Sequence, residues 1–474
     1  MNQGSKIVTK EECYICLSFF SSNKTSWPQS ANTLSEESMT QSARKVLYVD
    51  VTATWRSDAQ TGIQRVVRQL VTSWSQLNTD IRLIVFQKGE YKVLPTLALS
   101  IFTDLYSVRI PKSYRLRKLV FDLLLPIYLK LKKIAPQRLL SYLLSQPKLN
   151  SARRALNKAW IPENSMRFNP DDSDVLLLDL VFNPDNIVYL KKIALERGTN
   201  LTYFSYDCNP LIAPEYWPKK SYEEFLNYIS LVYSSKRVWS ISKTAQDDIK
   251  RFSKVDQSEI FFNFKWLPPT KFPDCNHQNI IFPELENQNY ILMVASYVPS
   301  KNHLGFLDAL EQLHFQGVTI PKVYLVGGLS WIGSVIDDKI TELLRAGIQI
   351  TKYEDIANCC LGALYASCVF SILPSFIEGF GLPIVESLSF GKPVVTSTSM
   401  SMGELLSLPG TIGFGHNHEP NLVAILQDLM SSKKLLNELT VEADKNSNNL
   451  GSWEEYAEQL YGFATRDNRS YGKT

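Results

Sequence analysis

Two glutamates and two glycines lie close together in the segment PSFIEGFGLPIVESLSFGKPVV, residues 374–395. Glu378 stands directly before Gly379, Gly381 follows, and seven residues separate Glu378 from Glu386. Because glycine has no Cβ, the backbone can approach a ligand closely at these positions. Amide groups at a helix start bind anions, and carboxylates accept hydrogen bonds from hydroxyl groups. The segment therefore predicts a pocket for a polyhydroxylated ligand that carries phosphate.

The elements around this segment must bring these groups to one place. The apolar run Val369–Leu373 predicts a strand that ends just before the glutamates, and Pro383 marks the first turn of a helix, where proline is favoured. We expect Glu386 in the same first turn. The amides that would then face outward belong to Gly379, Phe380, Gly381 and Leu382.

Each feature of this segment also has a purely structural interpretation. A glutamate near a helix start often interacts only with the helix dipole. A pair of glycines often forms only a turn. The combination of two glutamates, two glycines and a proline at one strand–loop–helix junction favours a binding site.

Two series of strands and helices frame the segment. The first series has predicted strands at Val46–Val51, Ile81–Gln87, Asp174–Val181, Leu201–Asp207 and Val238–Ser242. The second has them at Ile291–Ala295, Val323–Val326, Ile348–Thr351, Val369–Leu373 and Pro393–Ser397. Alternation of this kind predicts an α/β fold of two doubly wound domains. Their ligands should bind in the cleft, beyond the carboxyl ends of the strands.

Composition gives the predicted domain boundaries. Polar residues 1–44 are expected to be a disordered extension, followed by an N-terminal domain at 45–265, a proline-rich linker at 266–286, a C-terminal domain at 287–450, and a last helix and tail at 451–474. Cys13 and Cys16 form a CxxC in the extension, and no second pair follows at zinc-binding spacing. We interpret them as ordinary thiols.

The clearest helix follows the first strand, in the segment TGIQRVVRQLVTSW. Its apolar stripe consists of Ile63, Val66, Val67, Leu70, Val71 and Trp74, at helical spacing. Gln64, Arg65 and Arg68 occupy the other face. Gly62, at the start, would let the backbone approach a ligand.

The overall charge excludes several classes of protein. The 474 residues carry 50 Lys and Arg against 47 Asp and Glu, a net charge of +3. This balance argues against a highly charged disordered chain and against a globally basic nucleic-acid binder. No apolar run is long enough for a membrane-spanning helix, and the first residues lack the pattern of a secretory signal. We therefore expect a cytoplasmic protein.

Residues 109–158 are locally basic, with 13 Lys or Arg and a single acid, Asp122. The basic residues alternate with large apolar ones, which is typical of a segment that lies on an anionic membrane surface. Asp122 and Pro126 interrupt the apolar run, so the segment should lie on the bilayer without crossing it. The alternative is a helical pair packed on the N-terminal domain with a solvated basic face.

The stretch EGFGLPIVE resembles the E-x7-E signature of the family 4 retaining glycosyltransferases. The resemblance extends from residue 45 to 465 and is strongest at 290–310, around the signature, and at GSWEEYAEQLYGF. It implies the GT-B fold, in which two Rossmann-like domains face each other across a cleft. The C-terminal domain would hold the donor nucleotide sugar and the N-terminal domain the acceptor. Glu378 would contact the donor sugar, Glu386 the nucleotide ribose, and the loop amides the sugar and diphosphate.

Two further segments resemble the phosphate-binding parts of that family. Lys301, in VASYVPSKNHLGFLDAL, matches the lysine that neutralises the leaving diphosphate. Many members carry an arginine near this lysine, whereas this chain has no Arg between Ile291 and Lys301. Gly62 resembles the family's glycine loop that faces the donor phosphates. The form DVTATWRSDAQTGIQRVVR is particularly similar to bacterial polysaccharide mannosyltransferases.

Asp207, in LTYFSYDCNPLIAPEYW, resembles the position where the family has a His or Asp near the acceptor. It could orient the acceptor hydroxyl or accept its proton. Capping of the next turn by a strand-end aspartate explains the residue equally well.

Neither a metal nor another cofactor is expected. The D-x-D at 172–174 lies at the beginning of a predicted strand, whereas a diphosphate–metal site would need carboxylates at a strand's end. No GxGxxG follows a strand, which argues against a nicotinamide enzyme.

The resemblance implies a metal-independent retaining transfer of a hexose, mannose from GDP-mannose above all, to a lipid-linked or growing polysaccharide such as O-antigen or capsule. The leaving phosphate itself would help to deprotonate the acceptor hydroxyl. The reaction would take place at the inner face of the plasma membrane. Two alternatives remain open. One is a non-catalytic scaffold of a polysaccharide assembly, and the other is a sugar-nucleotide epimerase or phosphorylase on the same fold.

Overall fold

The computed structural model describes residues 45–56, 61–77, 79–94, 167–254, 260–272, 289–328, 332–354, 356, 358–417 and 420–466. The expectations for 1–44, with its CxxC, and for 109–158 lie outside the described residues. Within these ranges, no helix has the length and apolar character needed to cross a membrane.

The first lobe contains a seven-stranded sheet with the order β3-β2-β1-β4-β5-β6-β7 in the described part of the chain. The strands are β1 (Leu47–Asp50), β2 (Ile81–Gln87), β3 (Glu90–Val93), β4 (Asp174–Leu177), β5 (Asn200–Ser205), β6 (Ser235–Ser240) and β7 (Phe261–Phe264). Among the described strands of this sheet, only β3 is antiparallel to its neighbour. The strand order reverses between β1 and β4, which makes this lobe doubly wound.

Six described helices accompany this sheet. They are α1 (Thr52–Arg56), α2 (Gly62–Gln76), α3 (Pro184–Glu196), α4 (Asn209–Ile212), α5 (Lys219–Ile229) and α6 (Lys243–Ser253). The predicted apolar stripe of α2 lies in the core, where Val67, Leu70 and Val71 are fully buried. Parallel strands covered by helices on both faces are apolar throughout, which explains the continuous hydrophobic run in β4.

The second lobe contains a six-stranded parallel sheet with the order β10-β9-β8-β11-β12-β13 among the described residues. The strands are β8 (Tyr290–Val294), β9 (Lys322–Gly327), β10 (Ile350–Glu354), β11 (Phe370–Leu373), β12 (Val394–Ser397) and β13 (Thr411–Phe414). The helices are α7 (His303–Phe315), α8 (Gly333–Arg345), α9 (Asn358–Ser367), α10 (Leu382–Ser389), α11 (Met400–Leu405), α12 (Leu422–Ser431) and α13 (Lys433–Asn446).

The predicted fold class is confirmed, because two Rossmann-like sheets follow one another along the chain. Each of the ten predicted strands overlaps an observed one. Three strands were not predicted from the sequence: β3, β7 and β13, which are four-residue strands at sheet edges. Half-exposed edge strands such as β7 give little hydrophobic pattern. The domain boundaries stay a prediction.

The last described helix, α14 (Trp453–Thr465), packs on the first lobe although it follows the second in sequence. The indole of Trp74 on α2 donates to the carbonyl oxygen of Ala457 at 2.8 Å. The indole of Trp239 donates to the hydroxyl of Tyr456 at 2.7 Å, and one apolar cluster continues through both lobes. This helix therefore ties the two lobes together.

Candidate active site

The predicted strand–loop–helix junction is present between β11 and α10. Gly381 caps α10 with a φ of 104°, a left-handed conformation that favours glycine. Pro383 lies in the first turn, as predicted. The placement of Glu386 in that turn is wrong, because the helix begins at Leu382 and puts Glu386 in the second turn.

The loop before α10 is held through its carbonyl groups. The hydroxyl of Ser401 donates to the carbonyl oxygen of Glu378 at 2.8 Å, and that of Ser242 donates to the carbonyl oxygen of Gly379 at 2.7 Å. Across the described ranges, the amides of Gly379, Phe380 and Gly381 donate to no backbone carbonyl outside regular helices and strands. These amides keep the capacity to bind an anion.

Glu378 and Lys301 form an ion pair beside this loop. The Lys301 Nζ lies 2.6 Å from the Glu378 Oε1, which also accepts a hydrogen bond from the hydroxyl of Ser375 at 2.8 Å. The side chains of Glu378 and Lys301 are 13% and 19% exposed, so the pair can be reached from solvent. A backbone hydrogen bond from Phe376 to the carbonyl oxygen of Ser300 holds the two segments together at 2.9 Å.

Asp207 approaches this ion pair from the first lobe, just after β5. Burial raises the pKa of its carboxyl group to about 6, with Glu378 adding to the rise and the Asn209 amide and Lys301 opposing it. Its Oδ1 also accepts a hydrogen bond from the backbone N–H of Asn209 at 3.0 Å. The structure thus contains the capping contact and also places the carboxyl group among charged residues of the opposite lobe.

Both site glycines lie where the lobes touch. A Cβ on Gly379 would lie 2.5 Å from the carbonyl oxygen of Tyr206 and 2.9 Å from the Cβ of Asp207. A Cβ on Gly62, the first residue of α2, would lie 3.7 Å from the Cδ1 of Leu382 in α10. The first turns of α2 and α10 are therefore neighbours across the lobe interface.

Replacing Gly379 by Ala is expected to push the lobes apart, because the backbone of Tyr206 leaves no room for a methyl group. We expect a loss of about 1–3 kcal/mol in the free energy of unfolding, measured by urea denaturation. The matched control is Gly462→Ala in α14, where no atom of the described residues outside that helix's own backbone lies within 4 Å of the added Cβ. A Gly379→Ala protein as stable as the Gly462→Ala protein would contradict this packing.

Glu386, in contrast to Glu378, is completely buried. Its Oε1 lies 2.6 Å from the Arg65 Nη1 of α2 and accepts a hydrogen bond from the hydroxyl of Thr270 at 2.5 Å. Its Oε2 accepts from the hydroxyl of Tyr365 at 3.0 Å. Burial and the nearby carboxylate raise the pKa of Tyr365 well above its ordinary value.

Sequence reasoning missed Arg65, Thr270 and Tyr365. The pattern predicts Arg65 and Arg68 on the solvated polar face of α2, yet they are only 8% and 4% exposed, and Arg65 contacts Glu386 of the second lobe. The signal that could have found such partners is the charge of Glu386, because a buried glutamate needs a cation or several hydrogen bonds. No pattern in the sequence indicated which cation it would be.

Another contact crosses the lobe interface at the start of α6. The carboxylate of Glu404 accepts hydrogen bonds from the backbone N–H groups of Lys243 and Thr244 at 3.0 and 2.5 Å. It also accepts from the indole of Trp266 at 3.0 Å. The glutamate thus caps a helix of the other lobe and helps to keep the lobes closed.

The D-x-D segment lies away from this site. Asp174 is the first residue of β4, so the segment is at the amino end of the strand, whereas Asp207 follows the carboxyl end of β5. Asp174 lies 3.9 Å from the Nη1 of Arg237. Over the ranges that the structure covers, no cluster of three or more His, Cys, Asp and Glu side chains is placed to hold a metal ion.

The chain has recognisable relatives. Residues 277–445 match the family model described as glycosyl transferases group 1. O-antigen chain mannosyltransferase B of Escherichia coli is 28% identical over 313 residues, which are 62% of this chain and 74% of that protein. O-antigen chain mannosyltransferase RfbU of Salmonella typhimurium is 24% identical over 208 residues, 44% of this chain and 55% of that protein.

A solved structure has the same fold. Anabaena HepE, crystallised in complex with UDP and glucose, superimposes with a TM-score of 0.54 at 14% sequence identity. The superposition covers 88% of this chain and 98% of that protein. Both lobes are therefore matched, and the family model covers the segment with the two glutamates. The chain therefore has the GT-B fold, and its residues 277–445 are similar to the glycosyl transferases group 1.

Proposed function

We propose that the chain transfers mannose from GDP-mannose, with retention of configuration, to a lipid-linked or growing saccharide of a surface polysaccharide such as O-antigen or capsule. The observation that supports this most directly is the cluster of Glu378, Lys301 and Asp207, which draws on both lobes. The two relatives described above are O-antigen chain mannosyltransferases, which favours mannose as the sugar and O-antigen as the polysaccharide.

Each residue of the cluster has a proposed role in this reaction. Glu378 would accept hydrogen bonds from hydroxyls of the donor sugar. Lys301 would neutralise the departing diphosphate together with the amides of Gly379–Gly381, so that charge stabilisation comes from the protein without a metal. Asp207 would orient the acceptor hydroxyl or accept its proton, assisted by the leaving phosphate.

The test is acceptor-dependent release of nucleoside diphosphate from a panel of nucleotide sugars. We expect GDP-mannose to be used, and only when a saccharide acceptor is present. Turnover without acceptor would favour the epimerase alternative. Absence of turnover with every donor and acceptor would favour the non-catalytic scaffold.

The activity should depend on the ionisation of Asp207. Its raised pKa of about 6 means that its carboxylate form increases as pH rises through 6. We expect kcat/KM to fall about tenfold per pH unit below pH 6. The same raised pKa favours the protonated group in the folded chain, so its contribution to stability decreases as pH rises from about 3.8 through 6.

The control for this profile is Asp248 on α6, whose pKa burial also raises to about 6. Asp207→Asn should remove the inflection near pH 6 from the profile of its residual activity, whereas Asp248→Asn should keep it. An unchanged inflection in the Asp207→Asn enzyme would rule out the proposed proton-accepting role.

We further propose that the basic segment 109–158 binds an anionic membrane surface and places the enzyme at the inner face of the plasma membrane. The support is its excess of basic residues, interspersed with large apolar ones. Co-sedimentation with liposomes should increase with the fraction of anionic lipid. Binding independent of lipid charge would remove this proposal.

A further inference from the structure

Both glutamates of the E-x7-E pair are matched with a cation. Glu378 pairs with Lys301 of its own lobe, and Glu386 pairs with Arg65 of the opposite lobe. Each ion pair has an N–O distance of 2.6 Å. The two carboxylates therefore occupy the cations that an incoming diphosphate would need.

Arg65 is well placed to serve such an anion. It lies in the first turn of α2, which begins at Gly62, and Gly62 is next to Leu382 at the start of α10. Two helix N-termini thus adjoin the arginine, and each favours negative charge. A guanidinium group can also bind phosphate oxygens through two parallel hydrogen bonds.

We infer that Arg65 is the second cation for the donor diphosphate and that donor binding exchanges the partners of both ion pairs. This inference rests on the proposed function. Lys301 and Arg65 then bind the diphosphate. Glu378 accepts hydrogen bonds from hydroxyls of the sugar, and Glu386 accepts them from the ribose hydroxyls. Glu386 keeps its hydrogen bonds from Thr270 and Tyr365 and gains those of the ribose hydroxyls, so its carboxylate stays hydrogen-bonded when Arg65 leaves.

The exchange explains two observations together. The chain has no arginine between Ile291 and Lys301, so Lys301 alone supplies the positive charge of that segment. In the structure the Glu386 carboxylate has no exposed surface, so a ribose can reach it only after one of the side chains around it, such as Arg65, has moved. Both observations are explained if Arg65 leaves Glu386 and binds the diphosphate.

The experiment compares the affinities of guanosine, GMP, GDP and pyrophosphate, and of the corresponding uracil compounds, by calorimetric titration and displacement. For Arg65→Met we expect GDP to lose about 10- to 100-fold more affinity than guanosine, and pyrophosphate to weaken as GDP does. Arg65→Lys should keep part of the additional affinity that the phosphate groups give GDP over guanosine. Thr270→Val removes a hydrogen bond from the same Glu386 oxygen without removing charge, and its GDP-to-guanosine ratio should equal that of the wild type.

A double variant guards against misfolding, because Arg65→Met alone leaves Glu386 buried without its cation. In Arg65→Met/Glu386→Met both charges are absent, and the phosphate-dependent gain should still be lost. Wild-type protein that binds neither nucleoside diphosphate would overturn the proposed function itself. Wild-type binding with an unchanged ratio in Arg65→Met, or an equal loss for guanosine and GDP, would overturn the inference alone.

Discussion

Glu378→Gln is expected to lower the rate of sugar transfer by about 100- to 1,000-fold, while the chain stays folded. The amide keeps the shape of the side chain but removes the negative charge that lies 2.6 Å from Lys301. Lys301 then loses its fixed position, and the donor sugar loses an ionised hydrogen-bond acceptor. Steady-state kinetics with saturating donor and acceptor measure the change in kcat.

Ser375→Ala is the control for this substitution. It removes the hydroxyl that donates to the same Glu378 oxygen at 2.8 Å and leaves the charge in place. We expect a loss of tenfold or less in kcat, in line with one neutral hydrogen bond. Near-normal turnover by Glu378→Gln would remove Glu378 from its proposed role.

Arg65→Met is expected to lower the free energy of unfolding by about 3–5 kcal/mol, because it leaves the fully buried Glu386 carboxylate without its cation. The remaining hydrogen bonds from Thr270 and Tyr365 do not neutralise the charge. Since the two partners belong to different lobes, both lobes should become less stable. Thermal and urea denaturation measure the effect.

Two variants test the cause of that loss. Thr270→Val removes one hydrogen bond from Glu386 and should cost only about 1–3 kcal/mol. Arg65→Met/Glu386→Met replaces both charges by apolar groups and should recover most of the stability, as buried ion pairs exchanged for packed side chains often do. If Arg65→Met and Arg65→Met/Glu386→Met are equally unstable, altered packing, and not an uncompensated charge, is the cause of the lost stability.

The sequence predicts local features of the site well. Val369–Leu373 and the proline after the glycines located the junction, and the strand end before Asp207 located the carboxylate of the other lobe. In each sheet the parallel strands have their carboxyl ends at one edge, and ligands bind beyond that edge. Asp207 and the Glu378 loop each follow such a strand end, so both were expected at the cleft between the two lobes.

The interlobe contacts could not be predicted in the same way. Arg65 and Glu386 are 321 positions apart, and their meeting depends on how one lobe docks on the other. The polar face of α2 gives the pattern of a solvated helix, because periodicity reports that a face is polar but not what covers it. Glu386 also lies in the second turn of α10, in the interior, and not at the helix start where it was predicted.

The packing of α14 on the first lobe limits how the protein can be divided. Cutting the polypeptide between the lobes would deprive the indoles of Trp74 and Trp239 of their acceptors on that helix and expose an aromatic surface to water. The hydroxyl of Tyr461 donates to the carbonyl oxygen of Lys45 at 2.6 Å, so the helix passes beside the first strand. A separately expressed first lobe would need residues 451–466 grafted ahead of residue 45, as in a circular permutant.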